Sequence, residues 1–482
     1  MKKVSLFRSS TLHNNKMRWG LVFAGSLVSL LLAGIGFLLI RAALTPPGII
    51  TLTPARPDEY VVAMSSFDHH GGEKYDFGEA LKDDLGAMSG VPSYFRADLL
   101  PRTPDSTQIS DLMQHFGVRI VMTGSYDKTA VDSWVYVAPP SVLPTQPDGD
   151  ESRLVMFLDV GPQLFHVYAP RGVAHPLQYL QYWLVGQAYF WHGDYANAEA
   201  ALRLTQQLMP TQIPVDRRTD MDHYRAAVLW ALGYIAGPVH GDWQQAQHYF
   251  YQSQKLDSTS LPAQLGLAAS LSQTGAPAKA LDMLTISLRT HPDAWQLYFA
   301  LAQIRMQQGK IKDALAMYDR AIGLLSSQQT AIDQQALADV YFNRGYFYYQ
   351  QGDLPKALAD YQQARSLGRH DSYLLSNLGW TAYLLEDYDT AVAASTDAAA
   401  LAPGRPDLAF NKALLLLAAG DIQNARDAYA EAIHLTLRID DVLTRSTYFG
   451  GAYQDLQALE QKRPDLKAVI DELLQQIDDA NG

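Results

Sequence analysis

Residues 343–364 read NRGYFYYQQGDLPKALADYQQA, and the spacing within this stretch decides the fold. Gly345 is followed seven residues later by the pair Gly352–Asp353, and Ala357 comes five residues after Gly352. The same turn position and the same alanine recur along the chain. The turn positions are Gly193, Gly241, Gly275, Gly309, Gly352, Glu386 and Gly420, and the alanines are Ala198, Ala246, Ala280, Ala314, Ala357, Ala391 and Ala425.

Successive turn positions are 48, 34, 34, 43, 34 and 34 residues apart. This period resembles that of the tetratricopeptide repeat, in which each unit is a pair of antiparallel helices. One unit cannot bury its apolar face alone, so the units stack into a superhelix. The resemblance implies a mainly α fold with seven repeats over 175–436 and capping helices over 437–482.

Two kinds of irregularity are expected within the array. The second unit needs one extra residue between Gly233 and Gly241, and the two long steps place additional residues at 211–222 and 325–334. We expect those additions to be longer helices or loops between units. After the seventh unit, the patterns at 441–460 and 464–477 predict two closing helices, the second with a proline at its start.

The N-terminal region contains an uncharged run of 22 residues, 19–40, which is long enough to cross a bilayer as a helix. The preceding tail, 1–18, carries five basic residues and no acidic residue, and Arg41 follows the run. The positive-inside rule then predicts a single-pass anchor over 19–41, with a cytoplasmic N-terminus and the remainder extracytoplasmic in the cell membrane. A cleaved signal peptide is the alternative, although its apolar core is normally shorter. The small residues Gly25, Ser29 and Ala33 either pair helices or are simply common in such segments.

A linker at 42–58 precedes a segment, 59–165, in which strand and helix patterns alternate. Strands are predicted at 59–67, 118–128, 132–142 and 152–160, and helices at 77–88 and 105–117. We therefore predict a small α/β domain. Its segments YVVAMSSF, FGEALKDDLGAM and QHFGVRIVMTGSYDK resemble the TolB-like N-terminal domain, which in bacteria often lies between a membrane helix and helical repeats. The first strand lacks the Leu-Pro usual in that family.

The sequence contains no pattern of residues that predicts a catalytic site, a metal site or a cofactor site. The chain has no cysteine, which excludes thiolate zinc sites and cysteine nucleophiles. The run His69-His70-Gly71-Gly72-Glu73 suggests a metal site at first, but a polar turn explains it better because no third ligand is suitably spaced. The net charge of −12 argues against nucleic-acid binding.

The resemblance also places the first helix of each unit on the concave side, where a partner would bind. The positions facing this groove are Phe299, Gln303 and Met306 in unit four, Phe342, Asn343, Tyr346 and Tyr349 in unit five, Ser376, Asn377, Trp380 and Tyr383 in unit six, and Phe410, Asn411, Leu414 and Leu417 in unit seven. Asn343, Asn377 and Asn411 are 34 residues apart and predict a column of amides that can bind the backbone of an extended peptide. The alternative is that these asparagines and aromatic residues only pack helix on helix.

Three functions are therefore considered. The favoured one is a non-enzymatic, membrane-anchored scaffold that binds a protein or extended peptide in the groove. The second is an accessory or sensor component of a membrane signalling system, although 18 residues before the membrane helix are too few for a DNA-binding domain. The third, an enzyme, has no recognisable constellation of residues to support it. Whether the chain forms homo-oligomers is left open.

Overall fold

The computed structural model describes residues 52–56, 59–69, 77–126, 130–138, 163–170, 178–327 and 331–481. The predicted tail, the predicted membrane helix at 19–41, most of the linker and the predicted strand at 152–160 lie outside these residues. Within the described ranges, none of the helices combines the length and the apolar character that crossing a membrane requires.

The N-terminal part of the described chain is a mixed sheet with two helices. Its strands are β1 Tyr60–Ser65, β2 Asp68–His69, β3 Phe95–Leu100, β4 Val118–Tyr126, β5 Ala130–Val137 and β6 Gln163–Pro170, and its helices are α1 Phe77–Ala87 and α2 Ser106–His115. The sheet order is β3-β1-β4-β5-β6, with β2 beside β4. β1 lies parallel to β3 and β4, whereas β5 is antiparallel to both β4 and β6. The predicted small α/β domain is thus observed.

The predicted helices and three of the predicted strands of this domain form close to their expected places. β1 is buried on both faces, as its continuous apolar sequence implies. Asp105 accepts from the backbone N–H of Gln108, whose side chain accepts from the N–H of Asp105, so a capping box starts α2. The short strand β2 and the strands β3 and β6 were not predicted from the sequence. β6 continues five residues beyond the predicted domain end at 165.

The rest of the described chain is a helical array. Its helices are α3 Gln178–Trp191, α4 Tyr195–Leu208, α5 Arg218–Tyr234, α6 Trp243–Leu256, α7 Leu261–Gln273, α8 Pro277–Thr290, α9 Trp295–Gln307, α10 Ile311–Leu325, α11 Ala331–Gln350, α12 Leu354–Ser366, α13 Ser372–Leu384, α14 Tyr388–Leu401, α15 Pro406–Ala419, α16 Ile422–Leu437, α17 Val442–Lys462 and α18 Lys467–Asn481. Consecutive pairs pack against each other, and each pair contacts the next. The predicted mainly α repeat array is confirmed, and α17 and α18 occupy the place of the two predicted closing helices.

The sequence marks of the repeat have clear structural roles. All six turn glycines have positive φ, and so does Glu386 in the sixth unit, with φ of 62°. The alanine five residues after each turn has no exposed surface in any of the seven units. Each unit therefore reverses its chain through a left-handed residue and then brings its second helix against its first at an alanine.

The extra residue of the second unit is absorbed by a π-helix. Residues Ile235–Val239 continue α5 with wider turns, and the N–H of His240 donates to the oxygen of Ile235 at 3.0 Å. A π-turn holds one residue more than an α-turn over the same length, so it restores the register of the repeat. The predicted one-residue insertion is thus a local change of helix type, and the packing of α5 on α6 is preserved.

The sheet packs directly onto the first two repeats. The ring of Phe165 on β6 meets Trp183 of α3 and Tyr224 of α5, with ring centroids 5.9 and 6.1 Å apart. The backbone N–H of Tyr168 on β6 donates to the sulfur of Met221 on α5 at 3.3 Å. α5 therefore covers the edge strand that the sheet would otherwise expose.

Candidate partner-binding groove

Three neighbouring helices carry the predicted asparagine column. α13 contacts both α11 and α15, and Asn343, Asn377 and Asn411 occupy the same place on these three helices. The Nδ2 of Asn343 donates to the oxygen of Asp339 at 2.9 Å, and that of Asn377 donates to the oxygen of Tyr373 at 2.8 Å. Each bond lies within one helix and uses one of the two amide hydrogens. The second hydrogen and the amide oxygen are the groups with which such a side chain can bind a peptide backbone.

The structure divides the predicted groove residues into two groups. Phe299, Tyr383 and Phe410 are buried, with 1, 5 and 6% of their surfaces exposed, so these rings pack between helices and offer little surface to a ligand. Leu414 and Leu417 are buried as well. The remaining ten keep accessible surface: Gln303, Met306, Phe342, Asn343, Tyr346, Tyr349, Ser376, Asn377, Trp380 and Asn411. For the five buried residues, the packing interpretation replaces the groove interpretation.

Tyr346 is the most exposed aromatic residue of the predicted set, with 40% of its surface accessible. Tyr349 lies one helical turn further along α11 and is half-buried. On α13, the rings of Trp380 and Tyr383 lie 5.3 Å apart, and the Nζ of Lys462 sits 5.0 Å from the Tyr383 ring. The accessible rings of Tyr346, Tyr349 and Trp380 can hold apolar or flat groups of a partner.

An ion-pair network lies directly behind the column. Arg344 follows Asn343 and donates to both carboxylate oxygens of Asp360 at 2.8 Å and to Asp319 at 2.6 Å. Burial alone would lower the pKa of Arg344, but the hydrogen bonds and charge of Asp360 outweigh it, so the pKa is raised. This guanidinium is charged at every physiological pH and is engaged in holding α11 on α10 and α12.

A second cation was missed by the sequence analysis. Arg369 lies between α12 and α13, bonds Asp339 at 2.5 Å and Asp371 at 2.6 Å, and is almost fully buried. Its guanidinium carbon stands 3.9 Å from the centre of the Phe342 ring. One face of Phe342 is therefore covered by Arg369. In the sequence, Arg369 is marked only by its place directly after Gly368 in the connection between α12 and α13, and the other units have no arginine at the equivalent position.

The sixth unit also has a crevice beside the column. Ser395 occupies the place, nine residues after the turn, where the other units have leucine, phenylalanine or tyrosine. The crevice runs between α13, α14 and α15 and is lined by Ser376, Trp380, Ser395, Ala398, Leu408, Asn411 and Leu415. Three of the predicted groove residues, Ser376, Trp380 and Asn411, thus share one small depression.

The part of the chain that the structure describes contains no candidate metal site. Within it, no group of three or more histidine, aspartate or glutamate residues is arranged to hold a metal ion. The backbone of His69 belongs to β2, whereas 70–73 lie outside the described residues.

Comparison with known families identifies the repeats. Sequence models of the tetratricopeptide repeat match residues 338–371, and also 265–328 and 376–440. The chain therefore contains tetratricopeptide repeats over units three to seven, which include all the predicted groove residues. No curated protein matches the chain in sequence. Repeats of this kind serve as protein- and peptide-binding scaffolds.

Several solved structures are similar to parts of the chain. The APC/C hetero-tetramer Cut9–Hcn1 shows 18% identity over 58% of this chain, with a TM-score of 0.36, and the chain spans 57% of that protein. YrrB, described as a TPR protein with an unusual peptide-binding site, shows 19% identity over 39% of this chain and 96% of its own, with a TM-score of 0.29. TTC0263, a TPR protein of Thermus thermophilus, shows 21% identity over 40% of this chain and 99% of its own, with a TM-score of 0.32.

Proposed function

We propose that this chain is a non-enzymatic scaffold that binds an extended segment of a partner protein along α11, α13 and α15. The observation that supports the proposal best is the asparagine column, which repeats on three adjacent helices within confirmed tetratricopeptide repeats. An extended backbone presents N–H and C=O groups regularly, so equivalent amides at regular intervals suit it whatever its side chains are.

The charges around the column indicate which segment would bind. Arg344 and Arg369 are already bonded to carboxylates behind the groove. The accessible members of the predicted set are neutral, and they include Tyr346, Tyr349 and Trp380. A neutral segment with apolar or aromatic side chains fits this surface better than a strongly acidic one, because no array of unengaged cations was found among the groove positions named above.

We further propose that residues 19–41 anchor this scaffold in the cell membrane and place the repeats on the extracytoplasmic side. The uncharged 22-residue run and the five basic residues before it support this part of the proposal. Alkaline carbonate extraction of membranes tests it: the full chain should remain in the pellet, and a chain lacking residues 1–41 should be released. Release of the full chain would contradict the anchor and leave the groove proposal untouched.

Site-specific photocrosslinking tests the groove. A photoreactive phenylalanine analogue replaces Tyr346 in the groove or, as the control, Tyr251 on α6, which is also an exposed tyrosine on a helix. We expect a discrete crosslinked partner from position 346 and none of the same mass from 251. The triple variant Asn343→Ala, Asn377→Ala, Asn411→Ala should lose the product, whereas the double variant Gln362→Ala, Thr396→Ala on exposed positions of α12 and α14 should keep it.

Melting curves of these variants distinguish lost binding from lost folding. If the crosslink survives in a folded triple variant, the asparagines only pack, and the proposed role of the column is wrong. If position 251 captures the same partner as strongly as 346, binding is not confined to the groove.

A further inference from the structure

A histidine lies between two carboxylates where the sheet meets the repeats. His166 on β6 has only 5% of its side chain exposed. Its Nδ1 is 2.9 Å from Oδ2 of Asp220 on α5, and its Nε2 is 3.4 Å from Oδ1 of Asp132 on β5. One imidazole ring thus joins a strand of the sheet to the first turn of a repeat helix.

The hydrogen-bonding chemistry of imidazole and carboxylate determines which protonation state of His166 suits a position between Asp132 and Asp220. An ionised carboxylate only accepts hydrogen bonds, and a neutral imidazole has a single N–H to donate. A neutral His166 can therefore donate to Asp132 or to Asp220 but not to both. The protonated ring has an N–H on each nitrogen and presents a donor and a positive charge to both carboxylates together.

Of the remaining neighbours, the stacked ring of Trp134 favours the same form, whereas the charge of Arg217 opposes it. The ring of Trp134, the cross-strand partner of His166, stacks on the imidazole at 4.0 Å with only 6° between the planes. An aromatic face stabilises a cation above it. Arg217 bonds Asp132 at 3.2 Å and supplies the one other positive charge among the groups that act on the ring. The two carboxylates therefore face two cations when His166 is protonated.

The balance of these effects has a definite direction. Hydrogen bonding to Asp132, together with that to Asp220, raises the pKa of His166, while burial and the charge of Arg217 oppose the rise. A histidine whose pKa is raised by folding stabilises the folded arrangement fully below its ordinary pKa of about 6.5. That stabilisation is lost as the pH rises through the folded-state pKa.

We propose that His166 is a pH-responsive latch that holds the start of α5 to the sheet when protonated and releases it when deprotonated. The apolar contacts of Phe165 with Trp183 and Tyr224 do not titrate in this range. The released state is therefore a loosening of the start of α5 around Asp220, while Arg217 stays paired with Asp132 and the two parts stay packed. The latch is independent of the groove function proposed above, because it lies at the other end of the repeat array.

Distance measurement between two spin labels tests the latch in the full-length chain. Because the chain has no cysteine, Thr107→Cys on α2 and Val215→Cys beside α5 accept labels at two exposed sites only. We expect a narrow distance distribution at pH 5.5 that broadens by pH 8.5. In His166→Gln the distribution should not change between these pH values. His223→Gln, an exposed histidine on α5, serves as the matched control and should behave as the parent chain does.

A second measurement keeps the proposal testable if His166→Gln folds poorly. Histidine Cε1 resonances of the full chain are followed against pH, and the resonance absent from His166→Gln, or shifted in Asp220→Asn, is that of His166. We expect its midpoint above about 6.5, and a lower midpoint in Asp220→Asn because one carboxylate is lost. A midpoint at or below 6.5, or a distance distribution that is the same at both pH values in the parent chain, overturns the proposal.

Discussion

Glu386 adopts the same left-handed backbone conformation as Gly352, which lies 34 residues before it in the equivalent turn. The φ angles are 62° and 77°, and Glu386 is the one residue other than glycine with positive φ among the described residues. The turn between the two helices of each unit therefore fixes the backbone conformation even where the sequence does not supply glycine. In the sixth unit this backbone conformation costs free energy, because the Cβ atom of Glu386 is sterically disfavoured there.

We expect Glu386→Gly to stabilise the chain by about 1 kcal/mol, because glycine adopts positive φ without the steric cost of a Cβ atom. Urea denaturation of the full chain measures the change. Gly352→Ala is the reciprocal control and should destabilise by a similar amount, since the space around Gly352 is open and only its φ opposes a side chain. A less stable Glu386→Gly variant would mean that the glutamate side chain makes a compensating interaction.

We expect Gly266→Ala to destabilise the array by roughly 1–3 kcal/mol, the usual effect of overpacking a core. A Cβ atom at Gly266 would lie 2.5 Å from the ring of Phe250, which also closes on Gly233 of the preceding helix. Gly323→Ala provides the control, because it lies inside α10 with nothing within 4 Å of its Cβ position, and alanine is the better helix former there. Its expected effect is a gain of up to about 1 kcal/mol. The melting temperature should fall in Gly266→Ala and rise in Gly323→Ala. If both variants changed by the same amount in the same direction, the Phe250 ring would have adapted to the added methyl group.

The sequence predicted the array well because its packing depends on small residues at fixed intervals. Ala357 and the equivalent alanines of the other units are fully buried and permit close contact between helices. A larger or shifted residue at any of these positions would have interrupted the repeat pattern in the sequence. Even the irregular second unit was predictable, since the extra residue before Gly241 must be accommodated somewhere. That it forms a π-helix was not predictable, because a loop at the turn would restore the register equally well.

The groove was harder to predict than the fold. Helical spacing indicates which side of α9, α13 or α15 a residue occupies, but the depth to which the next helix covers it depends on the twist of the array. Phe299, Tyr383 and Phe410 were therefore placed on the surface although they are buried. β3 and β6 were missed for a related reason. Arg96 and Asp98 interrupt the apolar sequence pattern of β3, and β6 is buried by α5, which lies more than 50 residues later in the chain.

We expect Phe165→Ala to cost about 3–5 kcal/mol, as is usual for a buried phenylalanine. The ring fills the junction between β6, α3 and α5, so its loss should also separate the unfolding of the sheet from that of the first repeats. Leu164→Ala, the neighbouring residue on the opposite face of β6, is 51% exposed and should change stability by less than about 0.5 kcal/mol. Denaturation followed by hydrogen exchange in both regions makes the comparison, and equal effects of the two substitutions would exclude Phe165 as the anchor of the junction.

We expect Arg369→Ala to destabilise by about 3–5 kcal/mol, because it leaves the buried carboxylate of Asp339 without its cation. Replacing both residues, Arg369→Met with Asp339→Leu, should cost less than the single change, since both buried charges of this pair are then removed. Arg365→Ala is the matched control: its pair with Asp397 is exposed on both sides and is expected to contribute less than about 1 kcal/mol. Urea denaturation of all four chains tests this order, and a double variant that is the least stable would contradict it.

Asp455 on α17 provides the last prediction, which concerns pH. Burial raises the pKa of this carboxyl. A carboxyl whose folded-state pKa exceeds its unfolded one binds its proton more tightly when folded, so its ionisation destabilises the fold as the pH rises above the unfolded value of about 3.9. We therefore expect Asp455→Asn to be more stable than the parent chain at pH 7 and no more stable near pH 3.5, where both side chains are neutral. Asp471→Asn, at an exposed position of α18, controls for the general change in net charge. Urea denaturation at the two pH values distinguishes these outcomes, and an Asp455→Asn variant that is less stable than the parent chain at pH 7 would mean that the carboxylate is held in its charged form by the surrounding helices.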